Sequence, residues 1–127
     1  MLQRILYVED QLDIQMIARI ALEKVGKFTL KVCSSGQDAL AGAEAFAPEL
    51  FLLDVMMPGM DGPETLRQLR LIEAFKLTPA IFMTAKVRAE EVAELRAVGA
   101  IDVIPKPFDP MTLAQTIRTI WERHQAG

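Results

Sequence analysis

Four apolar runs of this chain end in polar residues capable of chemistry. Ile5 to Val8 runs into Glu9-Asp10, Leu50 to Leu53 into Asp54, PAIFM into Thr84-Ala85, and AIDVIP into Lys106-Pro107. A single polar residue closing an apolar run marks only where a strand meets water. If the four strands lie side by side, however, three carboxylates, a hydroxyl and an ammonium share one rim. Carboxylates in such company repel, and each is driven toward its protonated form unless positive charge intervenes. Lys106 supplies one charge against three. A hard divalent cation with oxygen ligands makes up the balance. Mg²⁺, which keeps part of its water shell, suits a site of few carboxylates that awaits a phosphate. Lys106 and Thr84 are then placed to receive phosphoryl oxygens as point charge and hydroxyl donor. Asp54 is the candidate nucleophile, because carboxylates form aspartyl-phosphate intermediates.

The hydrophobic period must supply the scaffold. Ile14, Ile17, Ala18, Ala21, Leu22 and Val25 are spaced as one face of a helix, with Gly26 set to end it. FTLKVC alternates, as an edge strand with one exposed face does. SSGQDALAGAEAF reads as a second helix, and Gly62-Pro63 opens a third with proline at a tolerated first-turn position. Ala89 to Val98 forms a fourth without a clear cap, closed by Gly99. Asp109-Pro110 is expected to cap a fifth that runs to about Gln125. Leu50 to Leu53 is apolar throughout, as a central parallel strand should be. Strict strand–helix alternation predicts an α/β fold, a doubly wound five-stranded parallel sheet, and the order 2-1-3-4-5 puts the two most apolar runs in its interior and alternating ones at its edges. In such sheets the crevice lies beyond the carboxyl ends of strands 1 and 3, where the order reverses. Asp54 is expected to stand exposed there.

The chain has 127 residues, 51% hydrophobic and 24% charged, which fits one globular domain over residues 1–127. A net charge of −3 gives no electrostatic footprint for direct nucleic acid binding. One cysteine, Cys33, excludes an internal disulfide framework. No apolar stretch has the length of a membrane span, and MLQRILYVED lacks the parts of a signal peptide, so a cytoplasmic location is expected.

Glu9-Asp10, Asp54 with Met57-Pro58-Gly59-Met60-Asp61-Gly62, Thr84-Ala85 and Lys106-Pro107-Phe108 together resemble the response-regulator receiver domain of two-component signalling. The resemblance covers the whole chain in order and spacing and implies a flavodoxin-like fold. It implies a phosphorelay switch rather than an enzyme acting on other substrates, although such a domain catalyses its own phosphorylation and dephosphorylation. Asp54 would take a phosphoryl group from a histidine kinase or histidine phosphotransfer protein. Asp10, Asp54 and the main-chain carbonyl of Met56 would ligate Mg²⁺, and Glu9 would reach it through water. Thr84 and Lys106 would bind the phosphoryl group, beside the small Ala85, and a cis Lys106–Pro107 bond is expected. The output would be a downstream protein target or, if the chain is a module of a longer regulator, an effector domain.

Two positions depart from the family pattern. Val103 stands where members usually carry Tyr or Phe, so the ring whose rotation follows the threonine is missing. Pro105 stiffens the end of the last strand. Met56 and Lys86 occupy variable positions that influence phosphate lifetime. Met56, Met57 and Met60 are expected to pack within their loop. Cys33 is expected to act as a small hydrophobe, and His124 to be solvated. A phosphatase of the haloacid-dehalogenase type also uses an aspartyl nucleophile with Mg²⁺, but it needs an acid where Met56 stands. A flavodoxin-like redox protein would need a Ser/Thr/Gly-rich loop where Glu9-Asp10 stands.

Overall fold

Along every strand of the computed structural model, which describes residues 1–127, alternate side chains enter two separate apolar layers. The strands are β1 (Arg4–Val8), β2 (Thr29–Cys33), β3 (Leu50–Asp54), β4 (Ala80–Thr84) and β5 (Asp102–Pro105). All pair in parallel, in the order β2-β1-β3-β4-β5, as the sequence predicts. The helices are α1 (Leu12–Arg19), α2 (Gly36–Phe46), α3 (Gly62–Arg70), α4 (Ala89–Val98) and α5 (Leu113–Ala126).

Ile5, Tyr7, Leu50, Leu52, Ile81, Met83 and Ile104 form one layer with Ala18 of α1, with Leu22 just after α1, and with Ala114 and Ile117 of α5. Leu6, Val8, Phe51, Leu53 and Phe82 form the other with residues of α2, α3 and α4. Because β3 is covered on both sides, Leu50, Phe51, Leu52 and Leu53 are each 0% exposed. Burying each such side chain contributes about 1.5–3 kcal/mol, so this strand anchors the residue at its end.

The helix starts follow local chemistry. Ser35 Oγ accepts from the Asp38 N–H (3.1 Å) and Asp61 Oδ1 from the Glu64 N–H (2.9 Å). α4 is not wholly uncapped: Glu91 Oε1 accepts from the Arg88 N–H at 3.3 Å, one half of a capping box. The fifth helix begins later than expected. Asp109 caps a separate turn, its Oδ1 accepting from the Met111 N–H (2.9 Å) and its carbonyl from Thr112 and Leu113, so helix proper starts at Leu113.

The first helix also departs from expectation. It widens into a π-helical segment over Ile20–Val25, where the Gly26 N–H donates to the Ala21 carbonyl at 3.0 Å. The wider turn shifts the phase of the stripe. Ala18, Ala21 and Leu22 are buried, whereas Ile17 and Val25 are 47% and 43% exposed. Gly26 is not the left-handed residue; Lys27 is, at φ 62°. Gly26 is required by close approach instead, since a Cβ there would lie 2.7 Å from Ala114 Cβ.

At its outer edge β5 offers no free donor. The Val103 N–H donates to Asp102 Oδ1 (2.8 Å), an atom that Arg96 Nη2 also reaches (2.9 Å). Pro105 has no N–H, and the Lys106 N–H points back to Thr84 O on β4 (2.9 Å).

Candidate functional site

The parallel register sets the carboxyl ends of β1, β3, β4 and β5 side by side. Val8 pairs with Leu53, Asp54 with Met83, and Thr84 with Pro105, so the next residue on each strand joins one rim. Glu9, Asp10 and Asp54 each present a carboxylate oxygen within 4.8 Å of the others. Lys106 Nζ lies 3.1 Å from Glu9 Oε1 and 3.1 Å from Asp54 Oδ1. The sequence therefore names the four charged residues that the fold assembles.

Asp54 is not exposed, contrary to expectation. It is 4% accessible, because Lys106 reaches it from beyond β5 and takes the place of water as its partner. The loop behind it is equally close. The Gly62 N–H donates to Val55 O (2.9 Å), and a Cβ on Gly62 would collide with the Asp54 carbonyl. Glycine here lets the start of α3 press against the end of β3.

Thr84 is buried on the neighbouring strand, and its Oγ1 accepts from the Lys86 N–H at 3.1 Å; it makes no hydrogen bond to the acids. Met56 lies two residues beyond Asp54 with its side chain 64% exposed, so it does not pack within the loop. Met57 does, being buried, while Met60 lies against Gly36. Val103 pairs with Phe82 and packs at the margin of the layer that holds Leu95 and Ala100. The Lys106–Pro107 bond is cis. Cys33 is buried, which raises its thiol pKa, and His124 is exposed, both as expected.

Burial pushes the Glu9 carboxyl above the ordinary glutamate range, and the charge of Asp54 adds to this against the opposing Lys106 contact. For Lys106 burial disfavours the ammonium, but its hydrogen bonds to Glu9 and Asp54 outweigh burial and raise its pKa. Three acids against one cation leave an excess of negative charge. Asp10 Oδ1 is moreover buried without any hydrogen-bond partner. An orphaned carboxylate oxygen beside two further carboxylates is the donor set of a hard divalent cation.

One contributor escapes a reading by motif. Tyr7, on the same face of β1 as Ile5 and Glu9, places its hydroxyl 3.5 Å from Glu9 Oε1. Burial and the charges of Glu9 and Asp54 drive its phenol far above the usual range, so it remains a proton donor. Period-two alternation from Glu9 back to Tyr7 was the available signal.

Comparison with known proteins places this geometry in a family. The response regulator receiver domain model matches residues 5–118. The DNA-binding response regulator MtrA of Mycolicibacterium paratuberculosis is 36% identical over 124 residues, covering 98% of this chain and 53% of that protein. The alkaline phosphatase synthesis transcriptional regulatory protein PhoP of Bacillus subtilis is 33% identical over 123 residues, covering 97% and 50%. The chain thus spans about half the length of these relatives. Among solved structures, the chemotaxis response regulator CheY4 of Vibrio cholerae superposes with a TM-score of 0.86 at 30% identity, over 94% of this chain and 99% of that one. A BeF3-activated DrrB receiver domain gives 0.80 at 30% identity, over 97% and 100%. With its strand order, its acidic rim and the family match across most of its length, this chain belongs to the response regulator receiver domain family.

Proposed function

We propose that residues 1–127 act as one phosphoacceptor switch, with Asp54 taking a phosphoryl group from a histidine kinase or histidine phosphotransfer protein. The observation that carries this reading is the pairing of Asp54 with Lys106 at 3.1 Å beside the partnerless Asp10 Oδ1. An Asp54 carboxylate oxygen forms a bond to phosphorus as the phosphorus–nitrogen bond of the donor histidine breaks. The electron pair of that bond returns to the imidazole, which is left neutral or takes up a proton.

Asp10, Asp54 and the main-chain carbonyl of Met56 would hold Mg²⁺, with Glu9 acting through water. When bound, the ion offsets the negative charge of the acids and of the phosphoryl oxygens. Lys106 leaves the Asp54 oxygen that becomes phosphorylated and pairs with a phosphoryl oxygen. Thr84 releases the Lys86 N–H and turns its hydroxyl toward the same group. Val103, set beside Phe82, carries no ring to follow that movement, so the change spreads through the loop after β4 and through α4.

The altered surface is read by a downstream protein target or an attached effector domain. Two relatives of about twice this length are named as a DNA-binding and a transcriptional regulator, which favours an effector domain. No helix is long and apolar enough to cross a membrane, in keeping with a cytoplasmic switch. Intact-mass measurement after incubation with a small phosphodonor and Mg²⁺ tests the assignment. One phosphoryl group is expected on the wild type and none on Asp54→Asn; equal gain by both refutes Asp54 as acceptor.

A further inference from the structure

Glu9 is 0% exposed, and its carboxylate is held by three donors. Gln11 N–H reaches Oε2 at 3.2 Å, while Lys106 Nζ (3.1 Å) and the Tyr7 hydroxyl (3.5 Å) share Oε1. The two donors on Oε1 are unequal. The Lys106 contact is the tighter, and the Tyr7 contact is well beyond the usual O–H···O distance of about 2.7 Å. The phenol ring lies in the apolar layer with Ala18, Leu22 and Ile104, where a phenylalanine would supply the same hydrophobic surface. A hydroxyl at such depth costs free energy unless it is hydrogen-bonded, and Glu9 is the one partner it has.

Lys106 is shared equally between Glu9 and Asp54, at 3.1 Å from each. Any phosphoryl group on Asp54 that draws the ammonium outward therefore strips Glu9 of its strongest donor. A carboxylate left with one backbone N–H, on Oε2, would be free to rotate.

We propose that Tyr7 is a positioning residue for Glu9, its hydroxyl closing on Oε1 as Lys106 turns to the phosphoryl group. This keeps Glu9 oriented toward the cation site in both states of the switch. The inference rests on Asp54 being the phosphoacceptor.

Tyr7 is the sole tyrosine of the chain, so a single ¹³Cζ-tyrosine label reports on it alone. Its Cζ resonance is expected to move toward the phenolate position on addition of Mg²⁺ and beryllofluoride. A shift in the same direction is expected in metal-free Lys106→Met, which removes the competing donor without any phosphoryl mimic. Tyr7→Phe, which keeps the ring, is expected to weaken Mg²⁺ binding about ten-fold while folding normally by near-ultraviolet circular dichroism. A Cζ resonance that stays fixed while ¹⁹F spectra show beryllofluoride bound overturns the role of Tyr7 and leaves the Asp54 reading standing. Loss of the ¹⁹F signal in the wild type counts instead against the Asp54 reading, and the Lys106→Met spectrum then decides on Tyr7 by itself. Unchanged Mg²⁺ affinity in Tyr7→Phe also overturns the proposal.

Discussion

Asp54 Oδ1 and Lys106 Nζ stand 3.1 Å apart although 52 residues separate them, and with side chains only 6% and 16% exposed they form a largely dry ion pair. Removing one partner of such a pair strands the other charge and costs about 3 kcal/mol or more. Lys106→Met is therefore expected to lower the stability of the metal-free protein at neutral pH by roughly that amount. Urea denaturation measures it, and an unchanged midpoint would show that the contact contributes nothing.

The pH dependence carries a definite sign. Glu9 titrates above its ordinary value of 4.5 in the folded chain, burial being the main cause. Its contribution to stability is therefore complete below that value and is lost as pH rises through the folded pKa. Metal-free Glu9→Gln should gain on the wild type across the same interval. Denaturant midpoints for both proteins from acid to neutral pH test this, and parallel curves would contradict it.

Mg²⁺ should stabilise the folded state by about 2.7 kcal/mol at a hundred times the dissociation constant and so raise the melting temperature. Asp10→Ala should abolish most of that gain while stabilising the metal-free protein, because it removes the one partnerless buried oxygen. A melting series with increasing Mg²⁺ that shifts both proteins alike would remove Asp10 from the site.

Much of this site was legible in the sequence because each strand announces itself by an apolar run and each run ends on a polar residue. Period and alternation also place β2 at an edge and β3 in the centre. What stayed hidden depends on contacts distant along the chain. The burial of Asp54 follows from the reach of Lys106, and no local pattern at Leu50–Asp54 reports it. Gly26 looks like a helix stop, yet its smallness serves Ala114, far along the chain in α5. Asp109 carries a valid capping signal, but the turn it caps precedes the helix instead of starting it. Tyr7 was concealed by its own ring, which reads as core.

Replacement of the usual aromatic by Val103 predicts where the switch moves. Hydrogen exchange with and without beryllofluoride should change most over residues 84 to 98, where Lys86, Val87 and Arg88 are exposed and α4 has only half a capping box. The response around Val103 and α5 should be smaller. Changes centred on β5 and α5 with α4 untouched would refute this.

The outer margin of β5 has a further consequence. A neighbouring strand can dock on a sheet only if it finds donors for its carbonyls. Here one outward N–H is occupied by Asp102 and the next is absent at Pro105. A second chain meeting this flank would thus find carbonyls but no free N–H donor, which disfavours extension of the sheet there.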